Sequence, residues 1–119
     1  MRMSAKNAAA QLQEQCRLIG LPVPVLEYKF HVTRRWKMDL AWTGANEPPL
    51  AVEVDGGVFM PGGGRHNRGA GYRSDCAKLN EAAIIGWHVM RVLPEQVASG
   101  EALKYVERFF ATRGRHPTR

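Results

Sequence analysis

The segment LAVEVDG, residues 50–56, constrains the fold more than any other part of this chain. It is short and largely apolar, and it stands between the turn-forming TGANEPP and a long glycine-rich stretch. Such a strand is typical of a central position in a sheet. Its two acids, Glu53 and Asp55, share one face because side chains alternate along a strand. Like charges repel by roughly 4 kcal/mol at about 4 Å when the effective dielectric constant is about 20, so we expect a positive partner for them.

Hydrophobic periodicity and turn residues predict the elements on either side of this strand. In chain order they are a helix over about 5–18, strands at 25–32, 34–42 and 50–56, a helix marked by Tyr72, Cys76, Leu79 and Ala83 and closed by Gly86, a strand at 87–93, and a helix at 100–113. Strands two and three can form a hairpin, and the following helix makes a right-handed crossover to a parallel fourth strand. The predicted fold class is therefore α/β, a mixed sheet of about four strands flanked by helices in the order α-β-β-β-α-β-α.

Composition limits the kinds of protein that this chain can be. Its 119 residues, 45% of them hydrophobic, predict a single domain over residues 1–112 with a basic flexible tail at 113–119. No apolar run reaches the roughly 18 residues of a membrane helix, and we expect a cytoplasmic protein without a membrane partner. Cys16 and Cys76 lack the spacing of a zinc site, and we expect both to be reduced. A net charge of +6 favours a polyanionic partner such as nucleic acid.

The second strand adds a third acid. Asp39 alternates with an apolar stripe that is predicted to share one face: Trp36, Met38, Leu40 and Trp42. If strands two and three pair around the 43–49 turn, Asp39 lies beside Glu53 and Asp55. Oxygen-only ligands suit Mg²⁺ or Mn²⁺, which take one or two carboxylates and leave room for a substrate phosphate. The alternative is simple ion pairing, of Asp39 with Lys37 or Arg35 and of Glu53 with an arginine.

Two stretches carry a resemblance to known nucleases. WKMDLAW followed by LAVEVDGG resembles the core of the PD-(D/E)XK superfamily, in which an aspartate on one strand precedes an acid-x-lysine on the next. VDGGVFMPGGGRH followed by YRSDCAKLNEAAIIGWHVMRV is similar to very-short-patch-repair endonucleases and related small proteins. The similarity spans roughly residues 24–97 and implies a restriction endonuclease-like fold.

The resemblance also implies roles for individual residues. Asp39 and Glu53 match the two metal-binding acids, and Asp55 stands where the lysine normally is, in a slot that contacts the metal in the short-patch enzymes. The missing lysine leaves proton transfer to His66, which matches a loop histidine, or to Lys78, three residues after Asp75. The alternatives are a solvated loop histidine and, for Lys78, an exposed helix face.

Basic residues cluster around this predicted site. Arg65 and Arg68 bracket His66 in the glycine-rich loop, whose length exceeds an ordinary connection. The full set of candidate nucleic-acid contacts is Arg34, Arg35, Lys37, Arg65, Arg68 and Arg73. Trp36 can stack on a base, but its place in the apolar stripe favours burial.

These observations predict a Mg²⁺- or Mn²⁺-dependent DNA endonuclease. Structure-specific cleavage and DNA repair or recombination are the candidate roles. By resemblance its products carry 5′-phosphate and 3′-hydroxyl ends. One alternative is a non-catalytic nucleic-acid-binding module on the same fold, and another is a structural subunit of a larger enzyme. Double-strand cleavage by one small site usually needs two copies, so a homodimer is a further expectation.

Overall fold

The computed structural model describes residues 3–44, 49–56 and 69–113. Its elements, in chain order, are α1 (Ala5–Leu18), β1 (Val25–Lys29), β2 (Lys37–Trp42), β3 (Leu50–Val54), α2 (Gly69–Ile85), β4 (His88–Val92), α3 (Pro94–Ser99) and α4 (Glu101–Arg113). The sheet order is β1-β2-β3-β4, with β1–β2 and β2–β3 antiparallel and β3–β4 parallel. The predicted mixed sheet of four strands flanked by helices is confirmed.

Local signals explain where the first helix begins and ends. The Ser4 hydroxyl accepts the backbone N–H of Asn7 at 3.1 Å, which caps one of the free donors at the start of α1. Gly20 ends the run with φ of 82°, a conformation that costs glycine little. These two residues set the bounds that the sequence predicts, 5–18.

The helix α3 is absent from the sequence prediction, which has no element between the strand at 87–93 and the helix at 100–113. Proline is common at the first position of a helix, because the N–H that it lacks would have no partner within the helix. The Gln96 side chain accepts the Leu93 N–H at 2.8 Å, and Gly100 closes the helix with φ of 90°. Six residues are too few for helical periodicity to be visible in the sequence.

Two apolar layers cover the two faces of the sheet. The larger layer joins α1, α3 and α4 to the faces of β2 and β3 that carry Leu40 and Val52. The smaller layer lies under α2, where Ala41, Ala51 and Ala82 are all fully buried. Small side chains there let α2 approach the sheet closely. Both cysteines are free, and burial raises the pKa of the Cys16 thiol to about 11.

The predicted apolar stripe of β2 is wrong in part. Leu40 and Trp42 pack in the larger layer, but Met38 packs in the smaller one. Alternation breaks at Asp39, and Glu27 on the neighbouring strand has a positive φ of 51°. The β1–β2 register is the same on both sides of this point. No helix in the described part of the chain is long and apolar enough to cross a membrane.

Candidate active site

The ladder between β2 and β3 opens at two acidic residues. Leu40 pairs with Val52, and the next pair along would be Asp39 with Glu53. There the Asp39 N–H donates to Glu53 Oε2 at 3.0 Å, and the Val54 N–H donates to Asp39 Oδ2 at 2.8 Å. Each carboxylate thus replaces a backbone carbonyl as the acceptor. Both side chains are held in place by the neighbouring strand.

Lys78 reaches this pair of acids from α2. Its Nζ lies 2.5 Å from Glu53 Oε1, and the two side chains are 14% and 12% exposed. Burial raises the pKa of Glu53, and the nearby Asp39 carboxylate adds to that effect. The Lys78 ammonium and the Asp39 N–H act in the opposite direction without cancelling it. Lys78 is therefore not on an exposed helix face, the alternative that its sequence context allowed.

Asp55 has a different partner. Its Oδ1 and Oδ2 accept from Arg91 Nη1 at 2.9 and 2.8 Å. Arg91 is opposite Glu53 in the parallel register of β3 and β4. Burial lowers the pKa of Arg91, but hydrogen bonding to Asp55 and the charges of Asp55, Glu53 and Asp75 leave it above its ordinary value. Arg91 is not among the predicted site residues, although it is a lone arginine near the end of a predicted strand.

The three predicted carboxylates therefore do not form one cluster. Asp39 and Glu53 come together, while Asp55 is held by Arg91. Within residues 3–44, 49–56 and 69–113, no group of three or more His, Cys, Asp or Glu side chains could hold a metal ion. The ion-pair alternative is wrong in its partners, because Glu53 pairs with a lysine and Lys37 pairs with Glu27 at 3.8 Å.

The donor set nevertheless fits a hard divalent cation. Asp39 Oδ1 accepts no hydrogen bond from any residue that the structure describes, and Asp39 makes no ion pair with them. Two carboxylates with open coordination sites for water are a common Mg²⁺ arrangement in proteins. The residues that would hold the ion are Asp39 and Glu53.

The remaining residues are those predicted to contact nucleic acid or to act from the glycine-rich loop. Arg34, Arg35 and Lys37 are exposed on or beside the connection between β1 and β2, and Arg73 is exposed on α2. The start of β2 and the ends of β1, β3 and β4 all lie at one end of the sheet, so Arg34, Arg35, Lys37 and the acids occupy the same end. Arg73 precedes Ser74, which accepts a hydrogen bond from Trp36 beside the start of β2. The predicted loop residues Arg65, His66 and Arg68 lie outside the described residues.

The paired acids thus lie where the two central strands of a four-stranded mixed sheet separate, in an α/β fold. The chain is similar in structure to the homing endonuclease I-Bth0305I catalytic domain, with a TM-score of 0.58 and 17% sequence identity. The similarity covers 93% of this chain and 97% of that domain. No family model and no curated protein matches the sequence. The comparison supports the fold predicted from the sequence.

Proposed function

We propose that this chain is a divalent-metal-dependent endonuclease that hydrolyses phosphodiester bonds in DNA. The observation that carries the proposal is the contact of the Lys78 ammonium with Glu53, beside Asp39, at the opening between β2 and β3. PD-(D/E)XK nucleases require an aspartate, a second acid and a lysine. In this chain Asp55 occupies the position of the motif lysine, two residues after Glu53. Lys78, from α2, contacts Glu53 instead.

Energetics support a chemical rather than a structural role for this contact. Removing two charges from water costs several kcal/mol per ion, and a buried ion pair often stabilises a fold no better than apolar side chains of similar volume. Glu53 and Lys78 lie beside a fully buried apolar layer that could have continued through both positions. A buried charge pair at one end of a sheet is more typical of a reaction site.

Each residue then has a distinct task. Asp39 and Glu53 would hold Mg²⁺ or Mn²⁺, which would supply charge that stabilises the transition state of phosphoryl transfer. Lys78 orients the attacking water and holds positive charge beside the phosphate. Exposed arginines at the same end of the sheet bind the flanking backbone. The contact with Glu53 supports Lys78 as the replacement for the missing lysine, and the other candidate, His66, lies outside the described residues.

The test is cleavage of supercoiled, nicked, branched and mismatched DNA with Mg²⁺ or Mn²⁺. We expect Asp39→Asn, Glu53→Gln and Lys78→Met each to lower the rate by at least about 100-fold, the usual size of a lost catalytic group. Asp39→Asn keeps an oxygen that can accept the Val54 N–H, so its fold should be retained. Glu14→Gln is the matched control, because Glu14 is paired with Arg17 on the surface of α1. Full activity of Asp39→Asn would remove Asp39 from the mechanism.

A non-catalytic DNA-binding module is the second candidate. It is favoured by the engagement of both Glu53 oxygens and by the pairing of Asp55 with Arg91. Calorimetry with Mn²⁺ separates the two proposals, because uptake that disappears in Asp39→Asn supports the enzyme. DNA binding without any Mn²⁺ uptake supports the module. Preference for mismatched or branched substrates would support a repair or recombination role, and sedimentation of the DNA complex would test a homodimer.

A further inference from the structure

The connection between β1 and β2, residues 30–36, is held as a rigid turn by His31. His31 Nδ1 accepts the backbone N–H groups of Thr33 and Arg34 at 3.3 and 3.0 Å. The hydrogen of a neutral ring is then on Nε2, which lies 3.0 Å from Glu81 Oε1 on α2. Both ring nitrogens are therefore occupied, and the turn is fastened to α2.

Trp36 also holds this β1–β2 turn in place, through contacts with Phe30 and with α2. Its ring stacks on Phe30 with centroids 6.3 Å apart and an interplanar angle of 13°. Its indole N–H reaches the Ser74 hydroxyl at 3.4 Å, and the Arg34 guanidinium lies 4.2 Å from the ring centroid. Connecting segments are usually mobile, whereas this one is anchored through its histidine and its tryptophan.

An apolar side chain projects from the rigid turn into solvent. Val32 is 95% exposed, and the following Thr33, Arg34 and Arg35 are exposed as well. A single exposed valine on a surface is ordinary. Here it stands on a preorganised support beside two arginines, neither of which forms an ion pair with a residue that the structure describes.

The β1–β2 turn and the acidic site have a fixed spatial relation. Three residues on α2 contact them in turn: Ser74 bonds Trp36, Lys78 bonds Glu53, and Glu81 bonds His31. Arg35 and Asp39 are four positions apart, which limits their Cα distance to about 14 Å, and Val32 and Asp39 are seven positions apart, which limits theirs to about 25 Å. Because one base pair rises about 3.4 Å, Arg35 lies within about four base pairs of the site and Val32 within about seven.

We propose that the β1–β2 turn is a DNA-distorting element, in which Val32 enters a base step of the duplex while Arg34 and Arg35 bind the flanking phosphates. Apolar wedges next to cationic side chains are a known means of unstacking and kinking duplex DNA. The cost is lowest where stacking is already weak, so the substrate class is duplex DNA with a mismatch or a flexible pyrimidine–purine step. The inference rests on the proposed function for its DNA ligand.

The experiment measures unstacking and binding without cleavage. Duplexes carrying 2-aminopurine at successive positions, matched or with one mismatch, are titrated with the full chain in EDTA. We expect a fluorescence rise at one step and about tenfold tighter binding of the mismatched duplex, equivalent to about 1.4 kcal/mol. Val32→Ala and the isosteric but polar Val32→Thr should lose both effects, whereas Val32→Leu should keep them. Val23→Ala is the matched control, because Val23 is a half-exposed valine that precedes β1.

The arginines should behave differently from Val32. Arg34→Ala and Arg35→Ala should weaken matched and mismatched duplexes alike and lower the salt slope by about 0.9 per lost phosphate contact. An unchanged fluorescence rise and mismatch preference in Val32→Ala would overturn the proposal, as would stronger binding of single strands or RNA. Unstacking without cleavage in Mg²⁺ or Mn²⁺ supports the wedge and counts against the proposed enzyme. Cleavage without unstacking supports the proposed enzyme and counts against the wedge. A failure to bind duplex DNA overturns both the wedge and the proposed enzyme.

Discussion

Two ion pairs, formed by acids two residues apart, differ in how far water reaches them. In the Glu53–Lys78 pair the side chains are 12% and 14% exposed, whereas in the Asp55–Arg91 pair they are 32% and 41% exposed. An exposed pair gains little because solvent screens it, and it also costs little. A buried pair has a desolvation cost that only good geometry offsets. Under the proposed function, the buried pair would take part in the reaction and the exposed pair would adjust the charge around it.

Removing Lys78 should have the largest effect on stability. Lys78→Ala leaves the Glu53 carboxylate buried without its cation, and breaking such a pair costs about 3–5 kcal/mol. The pKa of Glu53 should rise further, because a group that lowers it is gone. Urea unfolding measures the free energy, with Lys6→Ala on the exposed side of α1 as the control.

A double replacement sharpens this prediction. Glu53→Leu combined with Lys78→Met removes both charges and should recover most of the lost stability while leaving no cleavage activity. A Lys78→Ala variant that is within about 1 kcal/mol of the unmodified chain would mean that solvent reaches the pair. The two ion pairs would then be equivalent, and the energetic argument for a reaction site would fail.

The sequence predicts most of the architecture because its local signals are strong. Ser4 and Gly20 delimit α1, and the apolar LAVEV segment identifies the central strand. Asp39 and Glu53 are predicted to meet because hairpin pairing brings them together. Lys78 was one of two alternatives, because nothing local tells which face of α2 will meet the sheet.

The missed features depend on long-range pairing. Arg91 reaches Asp55 only through the parallel register of β3 and β4, which the turn residues do not specify. Met38 packs on the other face from Leu40, and Glu27, on the neighbouring strand between these positions, has a positive φ. The three carboxylates do not form one cluster because of the first of these, since the positive partner expected for Asp55 proves to be Arg91.

The pH dependence of stability should distinguish the buried acid from an exposed one. Burial holds the pKa of Glu53 above its ordinary value of 4.5. In the pH window between the ordinary pKa and the raised pKa, the folded chain therefore binds the proton of Glu53 more tightly than the unfolded chain does. The free energy of unfolding, taken relative to Glu53→Gln, should therefore fall as pH rises through that window. Glu14 gives the opposite sign, because the Arg17 hydrogen bond lowers its pKa and its contribution is lost as pH falls.

Urea unfolding of both Gln variants from pH 4 to pH 8 measures these slopes, and carbon NMR of the Glu53 carboxyl gives the titration midpoint directly. A midpoint at or below 4.5 would show that Lys78 outweighs burial. The buried pair would then resemble the exposed one in its electrostatics.

The smallest effect on stability is expected for Arg91. Its pair with Asp55 is partly exposed on both sides, so Arg91→Met should change the free energy of unfolding by less than about 1 kcal/mol. The same change removes a positive charge from beside Glu53 and releases Asp55, so Mn²⁺ should bind more tightly, by up to about tenfold. Calorimetry measures that affinity, with Arg17→Met as a control that breaks a remote surface pair. Weaker Mn²⁺ binding in Arg91→Met would mean that Arg91 organises the acids rather than competing with the cation, and the exposed pair would then belong to the reaction site itself.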